Sequence, residues 1–376
     1  WGRYEDLCHT RRIIDFDDVL SLTVGMLSSR PDVIGEIRRR YTWFTVDEFQ
    51  DITPLQNTLL QLWVGDRAEL CVVGDPAQTI YSFAGAEPNF LKTFAEEFPD
   101  TTVIELARTY RCPPVVTAAA NSLMLHAEVP MVAMQSEKTE PGTIGVRQYE
   151  NEFAEAQSVA SEISQAVAAG VDPRQIAVLL RVNSMSEVFE RAFEEAGIAY
   201  TIRGGQQFFE RREIKQALLQ LKAMTYSSVE LPAVDALEIV LGNLGWTSTP
   251  VVGEGKEPWE ALSGLLALAH DLAAEGHSSL TDFFEAIAQR TLAQDHPAAQ
   301  AVTISTMHAA KGLEWKYVYL PSLNETVLPY LEADVEEERR LLYVSITRAS
   351  DSVFLSSTNS RHGVAHSPSR FLNQLG

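Results

Sequence analysis

Short β-branched runs alternate with amphipathic helical stretches from one end of this 376-residue chain to the other, and that rhythm restricts the fold more than any other feature. Trp43–Val46, Leu70–Val73 and Val103–Leu106 read as buried strands, followed by Ile144–Tyr149, Ile176–Arg181, Val302–Thr306, Tyr317–Leu320 and Val353–Ser356. Between them, segments such as Glu187–Ala196 set Val188, Phe189, Ala192 and Phe193 at helical spacing. Strand–helix alternation predicts an α/β fold with parallel sheets. From about Glu213 to Ala301 the rhythm changes to helical patterning with a Gly/Pro-rich interruption at Thr247–Pro258, which reads as a helical insertion within one α/β domain.

Composition narrows the function classes. Hydrophobic residues make up 45% and charged residues 22% of the chain, an ordinary globular balance. No stretch approaches the ~20 apolar residues needed to span a bilayer, so no membrane role is expected. Cys8, Cys71 and Cys112 are scattered, with no metal spacing, and read as reduced, buried thiols of a cytoplasmic protein. The formal charge of −21 argues against wholesale neutralisation of phosphates, although stacking aromatics and a few local cations suffice for a groove that holds a single strand. The first residue is Trp1 rather than methionine, so the sequence reads as part of a longer chain.

Five segments carry candidate chemistry. Thr45–Asp51 places Asp47 and Glu48 directly after a strand, where open parallel sheets bind ligands. Phosphoryl transfer needs both carboxylates, one to hold Mg²⁺ through its water shell and one to orient the attacking water; an acidic first helical turn is the structural alternative. The next strand ends in Gly74-Asp75 and leads to Gln78, whose amide both donates and accepts, and to Tyr81 and Phe83, whose faces suit stacked bases. Tyr110-Arg111 offers a stacking ring and a cation for transition-state charge. In Thr303–Trp315 a strand runs into small residues and Gly312, with His308 and Lys311 beside it. In Glu336–Ala349 Leu341, Leu342, Val344 and Ile346 bury a helix that ends at Arg348, and its charges, set at pairing distance, read as a solvated or ion-paired face.

In this order the five segments resemble motifs II to VI of the UvrD/PcrA/Rep helicases of superfamily 1, and Ile14–Leu20 and Gly204–Ile214 resemble further stretches of that family. The resemblance implies RecA-like domains that close on Mg·ATP, with 3′→5′ translocation on single-stranded DNA and unwinding at junctions with duplex, in repair or replication. It places the C-terminal part of domain 1A at 1–111, the first part of 2A at 112–212, the helical 2B insertion at 213–301 and the rest of 2A at 302–376. By resemblance, Asp47 holds Mg²⁺, Glu48 activates water and Gln78 reads the γ-phosphate. Arg111 and Arg348 act as arginine fingers, Tyr110 stacks on adenine, and Glu314 beside Gly312 binds the ribose. Tyr81 and Phe83 stack on DNA bases, and Thr306 and His308 lie by the DNA backbone.

The departures are specific. Ala84 stands where the family usually has arginine, Thr109 replaces a frequent asparagine and Ser345 a frequent glycine. Leu241–Trp246 matches the duplex-contacting hairpin of 2B only loosely, and the short insertion resembles a compact actinobacterial branch. No Gly-x-x-x-x-Gly-Lys-Ser/Thr loop occurs; Gly253-Glu254-Gly255-Lys256-Glu257 lacks the first glycine and follows its lysine with glutamate. A P-loop supplies most of the β/γ-phosphate cradle, so these residues alone are expected to bind nucleotide weakly and not to hydrolyse it. The alternatives are a non-catalytic DNA-binding or scaffold paralogue and the helicase arm of a RecB/AddA-like helicase–nuclease.

Overall fold

The computed structural model describes residues 2–87, 89–128, 131–203, 209, 211–225, 231–249, 256–274, 276–294, 301–331 and 333–376. They divide into two compact units, the first running to Leu106 and the second starting at Ala107. Most of the Gly204–Glu210 stretch and the Gly253–Gly255 sequence lie outside the described residues.

In the first unit, helices α1 (Gly2–Arg11), α2 (Phe16–Ser29) and α3 (Pro31–Arg40) precede β1 (Phe44–Val46), α4 (Pro54–Val64), β2 (Leu70–Val72) and α5 (Asn89–Glu97). Asp15 and Thr53 start α2 and α4 through capping boxes closed by Asp18 and Gln56, which satisfy backbone N–H groups that a helix start leaves orphaned. Strands β1 and β2 pair in parallel, Val46 opposite Val72. Beneath them Phe49, Leu60, Val64 and Phe94 form a small core, with Phe94 meeting Phe49 edge-on at 5.5 Å. Two expectations fail here. The strands are only half buried, because Thr45 and Cys71 point to solvent. No strand forms at Val103–Leu106, where Val103, Ile104 and Leu106 are 70%, 77% and 81% exposed. β-Branched residues favour a pleated, half-buried surface, and no described backbone offers that run a ladder.

The second unit opens with β3 (Arg108–Thr109), α6 (Pro114–Met124) and β4 (Gln135–Ser136), which pairs with β3. Its main sheet contains β5 (Thr143–Asn151), β6 (Ile176–Leu180), β7 (Tyr200–Arg203), β8 (Val302–Thr306), β9 (Trp315–Leu320), β10 (Ala349–Arg361) and β11 (Val364–Ala365). Across it β5, β10, β9, β6, β8 and β7 run parallel, and β11 alone folds back antiparallel on the end of β10. Every residue of β6 is buried, as a central parallel strand requires. Helices α7 (Glu152–Ala168) and α8 (Ser186–Glu195) cover the sheet through Val159, Ile163, Phe189 and Phe193. The short β7 was not anticipated, and β10 runs well beyond the Val353–Ser356 expected of it.

Between β7 and β8 the described residues form only helices: α9 (Arg212–Met224), α10 (Ala233–Asn243), α11 (Lys256–Ala274) and α12 (Leu280–Gln294). They share a separate core in which Leu221, Leu237, Leu265 and Phe283 are fully buried. Helix α13 (Val335–Ile346) follows β9 and is capped by Asp334, with Glu336, Glu337 and Glu338 in its first turn. That placement of negative charge suits a helix N-terminus.

Candidate nucleotide and nucleic-acid sites

The first unit puts its chemistry at the carboxyl ends of two neighbouring parallel strands. Asp47 and Glu48 follow β1, and Gly74-Asp75 follows β2 one residue after its end. The backbone turns sharply at Glu48, whose φ of 53° and ψ of 39° lie in the left-handed region. A non-glycine residue held there costs on the order of 1–2 kcal/mol, and such strain collects at functional sites. The turn sends Phe49 into the core while Asp47 and Glu48 stay exposed. The Asp47 carboxylate accepts the Glu48 N–H at 2.9 Å.

A side chain without a foreseen role links the two strand ends. Gln50 is 1% exposed; its Nε2 donates to Glu48 Oε2 at 2.5 Å and its Oε1 accepts the Asp75 N–H at 3.0 Å. Asp75 in turn accepts from the Ala77 N–H at 2.9 Å and from Gln78 Nε2 at 3.0 Å. The order Glu48, Gln50, Asp75, Gln78 is therefore one continuous hydrogen-bonded set. A Cβ on Gly74 would stand 2.6 Å from Gln50 Oε1, so the glycine leaves room for the amide. Glycine beside an acid at a strand end was the available signal for this close approach. Tyr81 lies near Asp51 and Glu48: burial raises its phenol pKa first, and the charges of these two acids add to the rise. It meets Phe83 edge-on at 6.0 Å, and Phe83 is 75% exposed.

In the second unit, Arg111 and Glu314 pair directly, Nε donating to Oε2 at 2.6 Å, with Tyr110 beside them and largely exposed. Glu314 directly precedes β9 and Arg348 directly precedes β10, so both stand at amino ends of the sheet. Arg348 is buried, and its guanidinium donates to the carbonyls of Val344 at 2.9 Å and Leu313 at 3.2 Å and to the Thr347 hydroxyl at 3.3 Å. Gly312 has a φ of +81°, which permits the bend into Leu313 and Glu314. Cys112 lies between the arginines' loops: burial pushes its thiol pKa up, against the opposing pull of Arg111, Arg348 and Lys138. Glu314 also borders a cavity of about 400 Å³ lined by Lys138, Glu140, Arg174, Lys316 and Asp351.

Thr306 and His308 occupy the opposite, carboxyl end of that sheet, where β8 lies beside β6. The Thr306 hydroxyl accepts the Ala309 N–H at 3.2 Å. Burial and the neighbouring Arg181 charge lower the His308 pKa to about 4, so its imidazole is neutral at pH 7. Arg181 was not foreseen. It follows β6, holds Glu338 through two hydrogen bonds of 2.9 and 2.7 Å, and lies over the Tyr330 ring at 4.8 Å. Glu338 and Arg339 are buried rather than solvated: Glu338 also accepts the Tyr330 N–H, and Arg339 lies over Phe371 and pairs with Glu336 and Gln374. Helix α13 thus carries Glu338 at the His308 end of the sheet and leads to Arg348 at the Glu314 end.

Among the described residues no three acidic, histidine or cysteine side chains converge to hold a metal. The donor set around Asp47 is one exposed strand-end carboxylate, which fits Mg²⁺ because that ion keeps most of its waters and needs only one or two protein oxygens. No helix among the described residues is long and apolar enough to cross a membrane.

Parallel sheets with acids, amides and guanidiniums at their strand ends define an α/β protein of the RecA-like helicase fold. Residues 1–99 match the model of the UvrD/REP helicase N-terminal domain, and residues 104–231 and 246–360 match that of the UvrD-like helicase C-terminal domain. The chain belongs to the UvrD/REP helicase family. It is 43% identical over 380 residues to the ATP-dependent DNA helicase UvrD2 of Mycobacterium tuberculosis, a match covering 96% of this chain and 54% of the relative. It is 25% identical to the ATP-dependent DNA helicase PcrA of Staphylococcus epidermidis, covering 99% of this chain and 63% of that protein. With UvrD1 of Mycobacterium leprae the identity is 27%, covering 100% and 63%. The chain thus spans about half the length of its mycobacterial UvrD2 relatives.

Proposed function

We propose that this chain forms a large part of an ATP-driven DNA helicase that moves 3′→5′ on single-stranded DNA and opens junctions with duplex in repair or replication. The observation that carries the reading is the hydrogen-bonded set at the ends of β1 and β2, where two acids and a glutamine are held together by a buried amide. In the first unit Asp47 holds Mg²⁺, Glu48 orients and deprotonates the attacking water, and Gln78 reads the γ-phosphate. Bound Mg²⁺ supplies neutralisation of charge that develops on the phosphate oxygens. In the second unit Tyr110 stacks on adenine, Glu314 takes the ribose beside Gly312, and Arg111 and Arg348 stabilise transition-state charge. Arg111 and Glu314 are tied to each other here, so nucleotide must exchange that contact for its own.

Tyr81 and Phe83 offer base-stacking faces, and Thr306 and His308 serve the DNA backbone. A neutral His308 contributes a hydrogen bond rather than a phosphate-neutralising charge. Such sparing use of cations accords with a net charge of −21 and with recognition by stacking. The three cysteines are free thiols, but only Cys112 is buried; Cys8 is half-buried and Cys71 is exposed on the half-buried β2, against the expectation of three buried thiols. No Walker A loop occurs in these 376 residues, so alone they bind Mg·ATP weakly and do not turn it over. Partial duplexes with a 3′ or a 5′ tail, offered to the natural full-length protein, test the reading. It predicts ATP-dependent strand separation only with the 3′ tail; separation from the 5′ tail alone, or without ATP, overturns it.

A further inference from the structure

We propose that Gln50 is a positioning residue that aims the Glu48 carboxylate and ties that aim to the strand end bearing Asp75 and Gln78. The inference rests on the role given to Glu48 above. Both functional atoms of the Gln50 amide are used: the nitrogen holds Glu48 Oε2 at 2.5 Å, and the oxygen holds the Asp75 N–H at 3.0 Å. The side chain is 1% exposed, and it sits between Phe49, which is buried in the core, and the turn at Gly74. A glutamine placed only to fill space would leave a buried amide unsatisfied at a cost; here the burial is compensated by two contacts that join separate strands.

Two consequences follow from the geometry. Glu48 is exposed and sits on a left-handed turn, and its Oε2 accepts from the buried Gln50 amide, a contact that favours one aim of the carboxylate. The Asp75 carboxylate accepts from Gln78 at 3.0 Å while its backbone N–H donates to Gln50, so Gln78 and Glu48 are joined by three hydrogen bonds in series. The amide makes the water-activating group responsive to the residue that reads the phosphate. Gln50 itself touches no reacting atom.

The test is a double-mutant cycle in the natural full-length protein, with DNA-stimulated ATP turnover, KM for ATP and thermal midpoint measured throughout. Gln50→Glu keeps the oxygen that meets the Asp75 N–H but turns a repelling carboxylate toward Glu48. The expected result is a kcat about 10- to 100-fold lower with KM changed less than about threefold, the scale of loss when a supporting group misplaces a reacting one. In a Glu48→Gln background the same substitution is expected to change kcat less than about twofold. Gln50→Met, which fills the space without a donor, reproduces the kcat loss if Gln50→Glu fails to fold. A normal kcat in a folded Gln50 variant overturns the proposal, as does a Gln50 effect that multiplies in full with Glu48→Gln. If Glu48→Gln alone retains turnover, the fault lies with the role of Glu48 and not with the link between the two residues.

Discussion

Gly74 shows how one missing methyl group shapes a site. A side-chain carbon there would stand 2.6 Å from the Gln50 carbonyl oxygen and 3.0 Å from Leu91, so Gly74→Ala must push the amide off Glu48 or open the strand end. Overpacking of this kind costs about 1–3 kcal/mol. Urea denaturation is expected to show that loss, and the full-length protein to show reduced ATP turnover although every polar group is retained. Unchanged stability and turnover together would contradict the packing described. The Arg181–Glu338 pair makes a second case. The two side chains are 14% and 3% exposed, and removing one partner from a buried pair costs about 3–5 kcal/mol. Arg181→Met should lower stability by that order in urea melts, and adding Glu338→Leu should recover most of it. A single substitution without effect would mean that the pair is solvated.

At the same scale, the limits of the sequence are instructive. Asp47, Glu48 and Gln78 stand out as acids and an amide after predicted strands, Arg111 and Arg348 as cations at segment ends, and Glu314 only through the family resemblance. Gln50, Arg181 and Glu338 do not stand out, because the link from Gln50 to Asp75 spans 25 residues and that from Arg181 to Glu338 spans 157. Periodicity marks which faces are buried, but it does not say which polar group is buried against which. Hence the charges of α13 read as a helix surface, whereas Glu338 and Arg339 lie inside.

Elements were legible where one physical preference dominated. Val302–Thr306 is a strand at both ends as expected, and β6 is buried throughout, because apolar β-branched runs in a parallel sheet have no solvent face to encode. The same composition misled at Val103–Leu106, where propensity is present but no described partner strand is. Two titrating groups beside the main sheet, half-buried His308 and buried Glu155, lead to predictions of opposite sign. His308 has its pKa lowered from 6.5 to about 4, so the unfolded chain binds the proton first as pH falls. It removes stability as pH drops from 6.5 towards 4, and His308→Gln should flatten that limb in urea titrations. Glu155 on α7 accepts from the Ser322 N–H and hydroxyl and from the Ser356 hydroxyl, and burial raises its pKa above 4.5. The folded chain then holds its proton longer, so stability declines as pH rises from 4.5 through the raised value. Glu155→Gln mimics the protonated acid and should remove that decline; a variant with an unchanged pH profile would show that Glu155 does not govern it.

For the whole molecule, the second unit carries two sets of candidate groups at opposite ends of one sheet. Thr306, His308 and Arg181 stand beyond the carboxyl ends of β8 and β6, and Glu314 and Arg348 stand before the amino ends of β9 and β10. Helix α13 runs from Glu338 at the first end toward Arg348 at the second, so under the proposed roles the group given to DNA and the arginine given to nucleotide are joined by one helix. In the first unit the equivalent link is shorter, from Gln78 through Asp75 and Gln50 to Glu48. The family assignment came from motif order, which is a property of the whole chain. No single motif carried it.

The measurement that bears most directly on the account is ATP turnover stimulated by single-stranded DNA in the full-length protein carrying Glu48→Gln, with DNA affinity followed by fluorescence anisotropy. The account predicts turnover reduced by about 100-fold or more, the scale expected when a water-orienting group is lost, with DNA affinity within about twofold of wild type. Turnover that persists near the wild-type rate would remove the strand-end carboxylates from the chemistry, and with them the reading of this chain as a motor.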